Sequence, residues 1–309
     1  MTDGATRDLL MQLEPTAGAL LNRHLGMTKE WFPHDYIPYS LGRDYDKEPW
    51  TPDQPRLTGV AQTAFEVNLL TEDNLPSYHR EIYRMFAGGD DAWMTWVNRW
   101  TAEEGRHAIV LRDYLVVTRN IDPYSLERAR MAQVQAAYHH TNDSSVLRGL
   151  AYVAFQELAT RISHRNTGRY SSDPVADRIM ARIAADENLH MVFYRDMLSA
   201  AAEIDPSGVV EAVADEVIGF EMPGVGMAGY MRKAAQMARA GIYDLRIHHD
   251  EVIWPILRHW RIFELEQLSP RAEARRSELA TFLGELDRQA SRFEARRAAH
   301  SAREAERAG

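Results

Sequence analysis

The chain has 309 residues, 45% hydrophobic and 26% charged, enough apolar content for a substantial core, and its length allows one large domain or two small ones. Its 36 Lys and Arg against 45 Asp and Glu leave a net charge of −9, which argues against a broad nucleic-acid surface while leaving room for local basic patches. It contains no cysteine, which excludes disulfides, zinc–thiolate sites, cysteine-ligated iron–sulfur clusters and cysteine nucleophiles, and suits a cytoplasmic setting.

The opening MTDGATRDLL lacks a basic region followed by an apolar core, so no signal peptide is expected. No window approaches the ~20 apolar residues of a membrane span, so a soluble protein without a transmembrane segment is expected. A first helix is read over 6–29. From Gln54 to Gly88 apolar residues recur at helical spacing, with Pro76 as a kink or local break. Asp90–Arg119 reads as one long helix that starts on the acidic pair Asp90-Asp91 and stops before Ile121-Asp122-Pro123. Ser144–Tyr170 and Pro174–Glu203 follow as two more, the latter with proline in its first turn. Shorter helices are read over 123–140, 208–219, 226–240 and 247–267. A helix of ~30 residues is ~45 Å long, and rods of that length predict a four-helix bundle with additional helices around it. No run of alternating strands occurs, so the fold class is all-α. Residues 1–269 read as one helical domain. From 270 to 309 the chain becomes rich in Ala, Arg and Glu, and is read as a solvated C-terminal helix or tail.

Two segments carry the chemistry: Glu103-Glu104-Gly105-Arg106-His107 and Asp186-Glu187-Asn188-Leu189-His190. In each, a Glu and a His three residues apart share one helix face and can point at a common atom. Carboxylate with neutral imidazole suits iron or manganese. One such motif is weak, since a chain with twelve His is expected to show about one by chance. The pair is stronger, because one helix upstream of each motif stands another Glu in an apolar stretch. Glu72 precedes Glu104 by 32 residues, and Glu157 precedes Glu187 by 30. A carboxylate on an apolar face is costly unless paired or bound to metal. The order Glu, Glu-x-x-His, Glu, Glu-x-x-His is an internal two-fold repeat. It supplies four carboxylates and two imidazoles, the ligand set of ferritin-like di-iron bundles, and would neutralise two Fe²⁺ ions while leaving positions for O₂. Glu103 and Asp186, each one residue before a ligand Glu, are candidates to accept the outer N–H of a ligand imidazole; the plainer reading is a surface charge pair.

At these residues the sequence resembles the soluble acyl-[acyl-carrier-protein] desaturases, particularly their actinobacterial branch. The matching stretches are Thr71–Tyr78, Trp100–His107, Phe155–Thr160 and Ala185–His190, flanked by Trp31–Pro38 and Glu203–Pro206. The resemblance runs from about Leu13 to Glu266. It implies O₂-dependent removal of two hydrogens from adjacent carbons of an acyl chain carried as a thioester on acyl carrier protein. It also implies two iron ions, a ferredoxin-type electron donor and a homodimer. The family's oxygen-activating threonine corresponds to Thr160, whose plainer reading is a helix Thr bonded back to a carbonyl. The family's tryptophan near one ligand corresponds to Trp31, a candidate in a chain with Asp186 and His107; its plainer reading is a buried anchor.

An apolar channel beside the metals is expected, with Phe65, Leu69, Met94, Trp96 and Val97 as candidate lining or, more simply, core. Gly105, Met191 and a shorter interval between Glu157 and Glu187 depart from plant members and bear on substrate choice rather than on the ligands. Acyl carrier proteins are acidic, so a local basic surface is needed. Arg232, Lys233, Arg239 and Arg246 form one candidate, and Arg80, Arg84 and Arg165 others. Two alternatives stand: another di-iron bundle oxidase, such as an N-oxygenase or a radical generator, and a non-enzymatic iron- or acyl-carrier-binding protein.

Overall fold

A computed structural model describes residues 4–87, 89–137 and 145–308, so the expected helix ends at Gly88, 138–140 and Ser144 lie outside the described residues. Helices dominate the described residues, with no strand among them.

Four long helices form the bundle: α2 (Gly59–Glu72), α4 (Asp91–Val117), α6 (Val146–Ser171) and α7 (Pro174–Ile204). Each packs on two of the others, α2 on α4 and α6, and α7 on α6 and α4. Around them lie α1 (Gly4–Met27) against α4 and α7, α3 (Leu75–Phe86) against α4 and α6, and α5 (Pro123–Ala136) against α2. α8 (Pro206–Ile218) packs on α6 and α7, and α9 (Tyr230–Arg239) on α2.

The sequence dictates most boundaries. Asp173 Oδ1 accepts the Val175 and Ala176 N–H groups at 2.8 Å each, and Pro174 occupies the first turn of α7, where its missing N–H is harmless. Asp122 caps α5 through the Tyr124 N–H, and Asp205 caps α8 through Gly208. The stretch read as one helix from Gln54 with a break at Pro76 divides differently. The chain stays out of the helix up to Thr58, and the Arg56 and Leu57 N–H groups both donate to Asn120 Oδ1 at 2.8 Å. The break then falls at Asp73-Asn74, immediately after Glu72, and Pro76 sits harmlessly in the first turn of α3.

The core is aromatic. Trp93, Trp96, Phe155, Phe193 and Tyr194 are buried, and the Trp96 ring lies flat on Phe193 with centroids 3.6 Å apart. Beyond α9, a short α10 (Leu245–Ile247) runs through one π-helical stretch, His248–Ile253, into α11 (Trp254–His259). The histidines of that stretch bond to flanking residues: Tyr243 Oη and His248 Nδ1 share a hydrogen bond of 2.8 Å, and Trp254 Nε1–H donates to His249 Nε2 at 2.9 Å. Burial, helped by neighbouring His249, lowers His248 to about 4 from an ordinary value of 6.5. The unfolded chain therefore binds an extra proton between those values, and stability falls as pH drops through that window. We expect unfolding by denaturant to show a loss of about 2 kcal/mol from pH 7 to pH 5 attributable to this group. A His248→Phe variant that retains the same slope would assign it elsewhere.

α12 (Pro270–Ala308) lays a narrow stripe, Ala272, Leu279, Leu283, Leu286 and Ala290, against the body and packs chiefly on α8. Arg275 pairs with Asp215, Arg276 donates to the Leu265 carbonyl at 2.8 Å, and Arg297 pairs with Asp244 at 2.7 Å. The remaining faces are solvated. No helix among the described residues is long and apolar enough to cross a membrane.

Candidate metal centre

The bundle brings all six carboxylate and imidazole residues of the repeat together in its interior. Glu72 is the last residue of α2; Glu104 and His107 project from α4, Glu157 from α6, and Glu187 and His190 from α7. All six are buried, His107 and His190 completely. They form two overlapping groups of four, each with ligand atoms within 4.8 Å of one another. Glu72, Glu104, His107 and Glu187 make one; Glu104, Glu157, Glu187 and His190 make the other. Glu104 and Glu187 belong to both, so they stand between two adjacent positions, while Glu72 with His107 and Glu157 with His190 flank them.

Both imidazoles turn Nδ1 inward. His107 Nδ1 lies 3.3 Å from Glu104 Oε2, 3.3 Å from Glu187 Oε1 and 3.5 Å from Glu72 Oε2. His190 Nδ1 lies 2.7 Å from Glu104 Oε1 and 3.7 Å from Glu157 Oε2. His190 Nε2–H donates outward to Glu103 Oε2 at 2.9 Å, which leaves a lone pair on Nδ1. That lone pair and a carboxylate oxygen 2.7 Å away repel one another unless a cation or proton lies between them. His107 Nδ1, His190 Nδ1, Glu104 Oε1 and Glu157 Oε2 are buried and lack hydrogen-bond partners among the described residues. Such atoms, gathered into two adjacent groups, form the arrangement that divalent ions satisfy.

The electrostatics agree. Burial raises Glu157 well above the usual carboxylate range, and neighbouring Glu187 and Glu104 add to it. Burial and Glu187 likewise raise Glu104. For Glu72 burial acts in the same direction but is outweighed by hydrogen bonds from His107 and His164, and the carboxyl is held low. Burial disfavours charge on both ligand imidazoles, yet the surrounding carboxylates raise them well above the ordinary range. The buried acids thus compete for positive charge, which either protons or a bound metal would supply.

The outer contacts cross between the halves. Glu103, on α4, serves His190 of α7. Asp186, on α7, faces His107 Nε2 of α4 at 3.5 Å, a long contact. Trp31 Nε1–H donates to Asp186 Oδ2 at 2.7 Å, and Arg106 and Arg182 pair with the same carboxylate. Burial is outweighed by His107 and these partners, and Asp186 is lowered to about 2. Glu103 and Asp186 are therefore interior residues and not a surface charge pair. Thr160 Oγ1 lies 3.0 Å from the Glu157 carbonyl, 3.1 Å from the Gln156 carbonyl and 3.2 Å from Glu187 Oε2, so its one proton can serve the helix or the ligand.

Three contacting residues have no role read from the sequence, although Trp100 opens one of the matching stretches. His164 Nε2–H donates to Glu72 Oε1 at 2.7 Å, and Trp100 Nε1–H donates to Glu157 Oε1 at 3.0 Å. His24, from α1, meets Glu103 Oε2 at 2.8 Å. Helical spacing could have flagged two of them, since Trp100 is four residues before Glu104 and His164 seven after Glu157 on the same faces. Nothing local marks His24.

A cavity of about 210 Å³ begins at Glu72, Glu104 and Glu157 and runs past Tyr78, Ile82, Met85, Tyr152 and Val153. None of Phe65, Leu69, Met94, Trp96 and Val97 lines it. Four are buried core, and Met94 packs partly buried against that core. At the outer end stand Arg84, 66% exposed and 3.5 Å from Glu81, and Arg148, bonded to Glu216 at 2.7 Å. The other basic candidates divide. Arg246 is engaged with Asp287 and Glu294, Lys233 with Glu66, Arg165 with Asp177 and Arg80 with Glu81. Arg232 and Arg239 are exposed on α9.

Residues 5–308 match the family model described as fatty acid desaturase. A Mycobacterium tuberculosis protein named for acyl-[acyl-carrier-protein] desaturase DesA1 is 50% identical, over 93% of this chain and 87% of its own length. A stearoyl-[acyl-carrier-protein] 9-desaturase of Arabidopsis thaliana is 38% identical over 48% of this chain and 40% of its own. Among solved structures, DesA2 from Mycobacterium tuberculosis, titled an acyl-ACP desaturase, superposes with a TM-score of 0.70 at 29% identity, covering 84% of this chain and 97% of that one.

Proposed function

Since the chain belongs to the fatty acid desaturase family, we propose that it introduces a double bond into an acyl chain carried as a thioester on acyl carrier protein. The single observation that carries this reading is the pair of overlapping carboxylate–imidazole groups at the inner end of an apolar cavity.

Two iron ions held there, with Glu104 and Glu187 shared between them, would supply the activation of O₂. The balance is a saturated –CH₂–CH₂– unit, O₂, two electrons and two protons giving –CH=CH– and two waters. The chain's own residues do the rest. Ile82, Met85, Tyr152 and Val153 hold the acyl chain beside the carboxylates and exclude water from it. Thr160, within 3.2 Å of Glu187 Oε2, is placed to hand a proton toward the centre. Glu103 accepts the outer N–H of His190, and Asp186 stands 3.5 Å from the outer nitrogen of His107. Trp31, stacked 6.4 Å from His107 and bonded to Asp186, continues that chain toward Arg106, whose guanidinium lies 4.8 Å over its ring.

Without cysteine the protein has no cysteine-ligated iron–sulfur relay of its own, which supports an external ferredoxin-type donor. Arg232 and Arg239, exposed on α9, and Arg84 at the cavity mouth are the basic residues placed for an acidic carrier. A homodimer and a cytoplasmic site complete the reading, supported by the family resemblance and by the absence of cysteine.

Mass spectrometry of acyl-carrier thioesters incubated with protein, ferredoxin, reductant and O₂ should show loss of two hydrogens. Oxygenated or unchanged thioesters across a range of chain lengths would exclude desaturation. The cavity makes a second prediction. A Cβ on Gly149 would lie 1.9 Å from Met85 Sδ, so any larger side chain drives Met85 into the acyl path. Gly149→Leu should lower kcat/KM by about tenfold or more, since a misplaced methylene is worth ~1–3 kcal/mol in an apolar pocket. Initial rates on one acyl-carrier substrate measure this.

A further inference from the structure

We propose that His164 is a positioning residue that restricts Glu72 to one ligand oxygen and so governs how firmly the Glu72–His107 side of the centre retains its metal. This rests on the metal reading above.

The geometry is specific. His164 is 1% exposed, and its Nε2–H donates to Glu72 Oε1 at 2.7 Å, a short contact for a nitrogen donor. That bond occupies the outer oxygen of Glu72. The other, Oε2, is the one that faces His107 Nδ1 at 3.5 Å. Glu72 thus presents one oxygen inward while the other is held, and its denticity is set from outside the ligand set.

The opposite side is built with a different donor. Glu157 Oε1 accepts from the Trp100 indole N–H at 3.0 Å, and its Oε2 faces His190 Nδ1 at 3.7 Å. Trp100 comes from α4, the helix that carries Glu104, and can only donate. His164 comes from α6, the helix that carries Glu157, and also stands 3.8 Å from Glu187 Oε1. One residue of α6 therefore touches a flanking carboxylate and approaches a shared one, whereas Trp100 on the other side comes from the helix of a shared ligand. The two-fold repeat of ligands is not a two-fold repeat of supports, so the two metal positions are inequivalent.

A packing role does not account for this contact. α2 is already tied to α6 one turn earlier, where Asn68 Nδ2–H donates to Thr167 Oγ1 at 3.2 Å. Beyond His164 lies a small cavity of about 50 Å³, lined in part by Thr71, Tyr230, Met237 and Tyr243. Glu72 also borders the acyl cavity, so with Thr71 it stands between the two spaces. If released by His164, that carboxylate has room to turn.

The test uses full-length, iron-loaded protein challenged anaerobically with a chromogenic ferrous chelator. Wild type should yield two slowly released irons per chain. In His164→Leu one equivalent should leave about 10–100-fold faster, the usual cost of losing a ligand's outer hydrogen bond, while the other keeps its rate. His164→Gln, which restores an N–H donor, should recover most of the slow phase. In Mössbauer spectra of the ferrous protein only one of two iron signals should change in the Leu variant. Wild-type release of both irons from His164→Leu overturns the proposal, as does equal loss of both irons from the Leu and Gln variants alike. A wild-type chain that takes up no iron overturns the metal reading itself, a result no His164 variant can produce.

Discussion

Glu104→Ala is expected to abolish O₂-dependent turnover, to lose both metals, and to leave the helical fold intact. Glu104 is common to both groups of four, so its removal strips a donor from each position at once. The loss should exceed the 10–100-fold of a supporting residue and be on the order of 10³-fold or greater in activity. The fold should survive, because the four helices are held by their apolar core and burial among other acids already raises this carboxyl toward the neutral form. Metal bound only by the folded state stabilises it by ~4 kcal/mol when present at a thousand times its Kd. Thermal unfolding of wild type should accordingly rise on adding ferrous iron under anaerobic conditions, and that rise should vanish in Glu104→Ala. Circular dichroism and iron content on the same samples separate the two effects. A variant that keeps two irons per chain would refute the shared position of this residue.

Trp96→Ala should do the opposite, damaging the fold first. Trp96 is fully buried, stacks on Phe193 at 3.6 Å, meets Tyr194 edge-on at 5.6 Å, and sets its ring edge-on against His24 at 5.0 Å and His190 at 6.2 Å. It joins α1, α4 and α7 behind one ligand imidazole. Emptying this volume should cost ~3–5 kcal/mol, part of it from lost ring–ring contact of ~0.5–1.5 kcal/mol. Denaturant unfolding would show the midpoint shift. Because His190 loses its backing, iron retention should fall with stability, whereas in Glu104→Ala it falls alone.

The bundle and its six central residues could be read from the sequence because both are local in kind. Helices are written in periodicity and caps such as Asp173-Pro174, and each ligand pair is written in a three-residue interval on one face. The doubling of that pattern did what neither copy could do alone. What escaped is non-local. Asn120, more than sixty residues downstream, accepts two N–H groups just ahead of α2, and no window around Gln54 contains that fact. The cavity lining escaped for a related reason. Phe65, Leu69, Trp96 and Val97 are apolar on ligand-bearing helices, but which side of a buried helix meets empty space depends on its neighbours, and here the space lies toward α3. His24 is the clearest case, an ordinary histidine on α1 that reaches Glu103 only because α1 packs across α4 and α7.

The crossed outer contacts have a mechanical consequence. Residues 103 and 107 sit one turn apart on α4, and 186 and 190 one turn apart on α7. Each helix offers an acid to the other's imidazole and an imidazole to the other's acid. The Glu103–His190 bond at 2.9 Å fastens the two rods at one point, and the longer Asp186–His107 approach at 3.5 Å, one turn away, limits how far they can swivel about it.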